Sequence, residues 1–223
     1  MRNLKRMGAT LMALALVLGM NLTVFAAAAD TGFSDVSADA WYADAVAYVR
    51  DNGLMSGTSA AAFDPDGTMT RAMLAQTLYR AAGSPAVSGS DSFTDTAEGT
   101  WYADAVLWAS RQGVISGYGS GLFGTDDPVT REQIAAILWR YAGSPAAEAG
   151  TDFADEADIS AYAAQAVDWA RASGVVNGAD GSLFLPRASA TRAQAAVILR
   201  NYLTASAPAE PEQPGESPRV LVA

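Results

Sequence analysis

The chain has 223 residues, a formal net charge of −10, no cysteine and no histidine. That composition excludes disulfides, Cys/His zinc sites, Ser-His-Asp and Cys-His catalysis, and histidine pH switching. An acidic surface also repels nucleic acid and anionic lipid in bulk, so any anion must be captured locally by placed arginines and backbone amides.

Residues 1–28 read as a secretory signal peptide. Arg2, Lys5 and Arg6 form a positive start, Leu11 to Met20 and on to Phe25 is apolar, and Ala26 to Ala29 offers small-residue cleavage sites. No membrane span is expected once it is removed. Lys5 is the only lysine, so every later cation is an arginine and the rest of the chain is more acidic still.

The chain then repeats itself three times at a period of about 60 residues, over 29–87, 88–147 and 148–204. Each copy opens on Phe-x-Asp, at Phe33/Asp35, Phe93/Asp95 and Phe153/Asp155. A first helix follows, over about Ala40 to Asn52 in copy one. Trp41, Ala45, Tyr48 and Val49 fall on one face; Trp101, Ala105, Trp108 and Ala109, then Tyr162, Ala166, Trp169 and Ala170, repeat it. That stripe reads as core, with groove-edge stacking on a sugar as the other reading of Trp41, Trp101 and Tyr162. One extra residue in copy three falls in the loop around Asp158 to Ser160. Gly53, Gly113 and Gly174 stop the helix.

A second glycine, Gly57, Gly117 or Gly178, supplies backbone freedom, and close approach of a ligand is its other reading. A turn anchored by Phe63, Phe123 or Phe184 leads to the second helix. Thr70, Thr130 and Thr191 are N-caps, and Gln133 and Gln194 complete capping boxes that Met73 does not. Leu74/Leu78, Ile134/Ile137/Leu138 and Val197/Ile198/Leu199 are the expected core face. Asp64-x-Asp66-Gly67 and Asn177-x-x-Asp180-Gly181 are too short for calcium loops and read as Asx turns. No metal or other cofactor is expected. Residues 205–223 read as a Pro/Glu-rich linker, and "RVLVA" at its end resembles a first strand of a further, truncated domain.

The unit resembles the S-layer homology (SLH) domain. Copy one carries "FSDV", "WYADAV", "GLMSG", "FDPDG" and "TRAM"; copy two "FTDT", "WYADAV", "GVISG" and "TREQ"; copy three "FADE", "YAAQAV", "GVVNG", "FLP" and "TRAQ". The resemblance covers about Phe33 to Leu203. It implies a mostly α fold, with three helix-loop-helix repeats packed as a pseudo-threefold, three-pronged spindle. It implies non-covalent attachment to a Gram-positive-type cell wall. The partner would be a secondary cell wall polysaccharide, a peptidoglycan-associated polymer often ending in a pyruvylated sugar, held in grooves between units. By motif position the sugar-contacting arginine carries over to Arg71, Arg131 and Arg192. Trp41, Trp101, Tyr162, Gly57, Gly117, Gly178, Asp35, Asp95 and Asp155 complete the candidate ligand set. The motif's glutamate is Met73, Gln133 and Gln194 here, copy three replaces tryptophan with Tyr162, and copy two lacks the F-x-P turn, so weaker or silent grooves are expected in copies two and three.

Arginine in the first turn of a helix opposes the helix dipole, at a cost of a few tenths to about 1 kcal/mol. Beside free first-turn amides, a guanidinium would form a clamp for a carboxylate. The other reading is pairing with a neighbouring unit's Asp35, Asp95 or Asp155. Three classes of function compete: a cell-wall anchor, a self-assembling envelope scaffold, and an enzyme. The enzyme is disfavoured because no carboxylate pair stands out beyond Phe-x-Asp, which repeats as a turn element would. Oligomeric state is not legible.

Overall fold

The computed structural model describes residues 30–147, 152–179 and 182–205. The signal peptide, the linker from residue 206 on and its "RVLVA" end lie outside the described residues. Within them are six α-helices, α1 (Ala43–Asp51), α2 (Arg71–Ala81), α3 (Ala103–Arg111), α4 (Arg131–Tyr141), α5 (Ala164–Ala172) and α6 (Arg192–Ala205). The extra residue of copy three sits beside a single 3-10 turn, Glu156–Asp158. No strand is present among the described residues; isolated bridges pair Thr68 with Thr191, Thr70 with Pro128 and Thr130 with Ser189.

The local signals act as expected. Thr70 accepts the Met73 amide, and Thr130 with Gln133 and Thr191 with Gln194 form reciprocal capping boxes. Gly53, Gly113 and Gly174 adopt φ of 65°, 68° and 71° just past their helices. Phe63, Phe123 and Phe184 are fully buried, each against the Phe of its own Phe-x-Asp with ring centroids 5.5, 5.3 and 5.3 Å apart.

The main helix contacts are not within the repeats. α2 packs on α3, α4 on α5, and α6 returns to α1. Each prong therefore pairs the second helix of one repeat with the first helix of the next. At the centre the backbone closes a ring. Met69 N donates to Ala190 O, Ala190 N to Val129 O, and Val129 N to Met69 O, all at 2.9 Å. These short extended segments lead directly into the second helices, so the ring fixes where all three helix starts lie.

Three grooves shared among the repeats

The first-turn amides of the second helices are occupied, not free. Arg71 N and Ala72 N donate to Asp127 O and Thr125 O; Arg131 N and Glu132 N donate to Ala188 O and Pro186 O; Arg192 N and Ala193 N donate to Gly67 O and Pro65 O. Each helix start is capped by the turn of another repeat. This corrects the expectation of an open amide anion site, because burial between repeats demands that these donors be paired.

The three arginines follow the same cycle. Arg71 Nε donates to Phe123 O at 2.9 Å and its Nη2 to Ser116 O at 2.7 Å. Arg131 Nε donates to Phe184 O at 2.6 Å. Arg192 Nε and Nη2 donate to Phe63 O and Ser56 O, both at 2.8 Å. Each guanidinium also lies over the phenylalanine whose carbonyl it binds, 4.6 to 5.2 Å from the ring centroid. All three residues are 4–5% exposed. Burial pulls their pKa values down, opposed by Tyr118, Asp127 and Asp95 for Arg71, Asp155 for Arg131, and Asp64 and Asp35 for Arg192. Direct Arg–Asp pairing is not what holds the repeats together. Among the described residues the ion pairs are Arg50–Asp51 and Arg171–Asp152.

Asp35, Asp95 and Asp155 are turn clamps. Asp35 accepts the amides of Phe63 and Asp64, Asp95 those of Phe123 and Gly124, and Asp155 those of Phe184 and Leu185, all at 2.6–2.8 Å. Partial desolvation pushes each carboxyl up, but the amides together outweigh it and hold the pKa below the ordinary aspartate range. None of the three is among the residues lining the three grooves that hold the repeated arginines; Asp155 lines a separate cavity of about 290 Å³ with Asp158, Leu185 and Arg187.

The clamped turn explains why three different sequences make one structure. Asp64, Gly124 and Leu185 all follow the buried Phe and all adopt left-handed backbone, φ 60°, 78° and 58°. The absent F-x-P in copy two therefore does not change the turn. Gly57 and Gly117 serve close packing. A Cβ on Gly57 would lie 2.4 Å from Ser59 O and 2.6 Å from the Phe33 ring; on Gly117 it would lie 2.5 Å from both Leu122 O and the Phe93 ring. Of the three, Gly178 has left-handed backbone, φ 92°.

Trp41, Trp101 and Tyr162 are 68%, 59% and 52% exposed. They precede the first residue of α1, α3 and α5, so the helical stripe that predicts burial does not reach them. Their place is the rim of three equivalent grooves. One holds Trp101, the Gly57 segment, Arg80 and Arg192; a second holds Tyr162, the Gly117 segment, Arg140 and Arg71; a third holds Trp41, the Gly178 segment, Asn201 and Arg131. Their volumes are about 200, 230 and 300 Å³. Each groove takes its glycine segment and second helix from one repeat, its aromatic from the next, and its buried arginine from the third. Candidate arginines, aromatics and glycines that lie far apart in sequence thus meet three times over.

The matched descriptions fit this geometry. The S-layer homology domain pattern matches residues 32–73, 92–135 and 152–196. The chain belongs to the S-layer homology domain family. It is 31% identical over 79% of its length to an amylopullulanase of Thermoanaerobacterium thermosulfurigenes. It is 32% identical over 60% to the S-layer protein sap of Bacillus anthracis, and 27% identical over 67% to a cellulosome-anchoring protein of Acetivibrio thermocellus. It covers 10%, 16% and 35% of those three relatives' own lengths.

Sequence reasoning missed several groove residues. Arg80 and Arg140 hold equivalent places on α2 and α4 and line their grooves; the same period that marked the Thr-Arg arginines marks them. Glu132 is 5% exposed and accepts the Ser160 amide, the Ser160 hydroxyl and the Tyr162 hydroxyl at 2.9, 2.8 and 3.2 Å. Desolvation first, then Glu132, pushes the Tyr162 phenol up to about 12. A further cavity, about 610 Å³, lies apart from the three grooves, between Gly89 and Leu107. Its lining contains none of the repeated arginines.

Proposed function

We propose that the chain is a non-catalytic anchoring module that binds a secondary cell wall polysaccharide, with a pyruvylated sugar, in the grooves between its repeats. Its place is the surface of a Gram-positive-type bacterium. The observation that carries this reading is the threefold convergence of an exposed aromatic, an arginine and a glycine-bearing backbone segment in one open groove. An aromatic face beside a cation suits a sugar acid, stacking on the ring and holding the carboxylate by charge-assisted hydrogen bonds. Membership in the S-layer homology domain family, and similarity to a protein named as cellulosome-anchoring, support the same reading. The amylopullulanase match spans a tenth of that protein, so its name lends no activity to this chain.

The test is sedimentation of the chain with purified sacculi, before and after acid stripping of the secondary polymer. A Trp41→Ala/Trp101→Ala variant runs alongside. Both residues are exposed, so the fold should survive. Binding lost on stripping and weakened in the variant supports the proposal. Binding unchanged in both overturns it, and no binding at all favours an envelope scaffold.

A further inference from the structure

The three rim aromatics are not held in the same way. Trp41 and Trp101 are each followed by a tyrosine, and each meets that neighbour edge-on. The ring centroids of Trp41 and Tyr42, and of Trp101 and Tyr102, are 5.2 Å apart, with planes at 84° and 83°. In repeat three the following residue is the buried Ala163, which has no ring to offer. Tyr162 instead donates its hydroxyl to Glu132 Oε1 at 3.2 Å.

The partner residue changes in step. α4 packs on α5 as α2 packs on α3 and α6 on α1, so the equivalents of the Glu132–Tyr162 pair are Ala72–Trp101 and Ala193–Trp41. Alanine goes with tryptophan twice, and glutamate with tyrosine once. Glu132 is not part of the groove lining. Its carboxylate is already engaged, Oε1 also accepting the Ser160 hydroxyl and Oε2 the Ser160 amide. An acid in the first turn of α4 suits the helix dipole wherever it points. The dipole does not require that it be buried against another repeat, where desolvation is costly unless donors compensate it. The donors it meets belong to two residues, the rim aromatic and the residue two places before it.

A tyrosine offers a smaller face than a tryptophan, and an exposed one with no neighbouring ring samples several rotamers. Fixing its hydroxyl removes that freedom before a ligand arrives, which lowers the ordering cost of binding. We infer that Glu132 is a positioning residue. Through the Tyr162 hydroxyl it holds the rim aromatic of one groove in place for the cell wall polymer, as Tyr42 and Tyr102 do by ring contact in the other two. This rests on the anchoring reading above.

The test uses the full chain carrying Trp41→Ala and Trp101→Ala, in which Tyr162 is the rim aromatic that remains. Sedimentation with sacculi gives its residual affinity. Tyr162→Ala should abolish it. Glu132→Ala and Tyr162→Phe remove the same hydrogen bond from opposite ends. Each should weaken binding roughly three- to tenfold, and the double variant no further. In the free protein, 13C relaxation of the Tyr162 ring, assigned by its loss in Tyr162→Phe, should show a more mobile ring in Glu132→Ala. Circular dichroism melting reports folding. Should Glu132→Ala not fold, Tyr162→Phe decides alone, and an unchanged affinity there overturns the inference. So does a Glu132→Ala variant that melts earlier yet binds as tightly, losses that add in the double variant, or a Tyr162→Ala variant without effect. A parent chain that sediments while the Trp41→Ala/Trp101→Ala background does not leaves anchoring standing and overturns the role of Glu132. A parent chain that does not sediment overturns the anchoring reading, and this inference with it.

Discussion

Arg192 Nε donates to the carbonyl of Phe63, 2.8 Å away and 129 residues back along the chain. No covalent connection joins repeat three to repeat one except through repeat two, so this bond, with Arg192 Nη2 to Ser56 O, is part of what closes the spindle. Arg192→Ala would leave the buried Phe63 carbonyl and the part-buried Ser56 carbonyl without that donor. We expect a loss of about 2–4 kcal/mol, with Arg192→Lys recovering little because one ammonium cannot reproduce the forked geometry. Urea unfolding of the two variants checks this. Arg131→Ala should cost less, since a single bond to Phe184 O is found for its guanidinium among the described residues.

Asp95 holds two backbone amides with one carboxylate. Asp95→Asn supplies one acceptor and turns an amide NH2 toward the other backbone N–H. A loss of about 1–3 kcal/mol is expected by denaturant titration.

The same clamps set the acid limit. The folded-state pKa values of Asp35, Asp95 and Asp155 lie below the ordinary value. Their stabilisation is therefore complete above the unfolded-state pKa, near 4, and is lost as pH falls through the lower folded values. The melting temperature should hold from pH 7 to about 5 and fall below about 4. Asp95→Asn should show a shallower acid fall than the parent.

Leu185 is 39% exposed and adopts φ 58°, a conformation costly for a Cβ-bearing residue, where Gly124 stands in repeat two. Leu185→Gly relieves about 1–2 kcal/mol of backbone strain and returns part of it as unfolded-chain entropy. A net gain of about 0.5–1 kcal/mol should appear in thermal melts. Gly57→Ala should do the reverse, losing about 1–3 kcal/mol because its Cβ would meet Ser59 O and the Phe33 ring.

Much of this architecture was legible as local chemistry. Thr70, Thr130 and Thr191 announce helix starts, and the Phe-x-Asp and buried-Phe pairs announce turns. The partner of each helix was not legible. An apolar face such as Leu74/Leu78 is satisfied equally well by its own repeat's first helix or by the next one, and sequence spacing does not distinguish them. The arginines stand out by their period, yet their acceptors are main-chain carbonyls, which have no signature in a sequence. Trp41 and Trp101 were read with the helix they adjoin, although the helix begins two residues later and leaves their side chains in solvent.

The sequence repeat and the folded prong are out of phase. A prong is α2 with α3, or α4 with α5, or α6 with α1, and each groove draws on all three repeats. The chain is in effect a ring severed at one of three equivalent joints, the other two being the loops from α2 to α3 and from α4 to α5. Duplicating or deleting one copy would therefore not add or subtract one binding site. It would break the ring and leave every site incomplete, so in this fold the number three is a condition of closure.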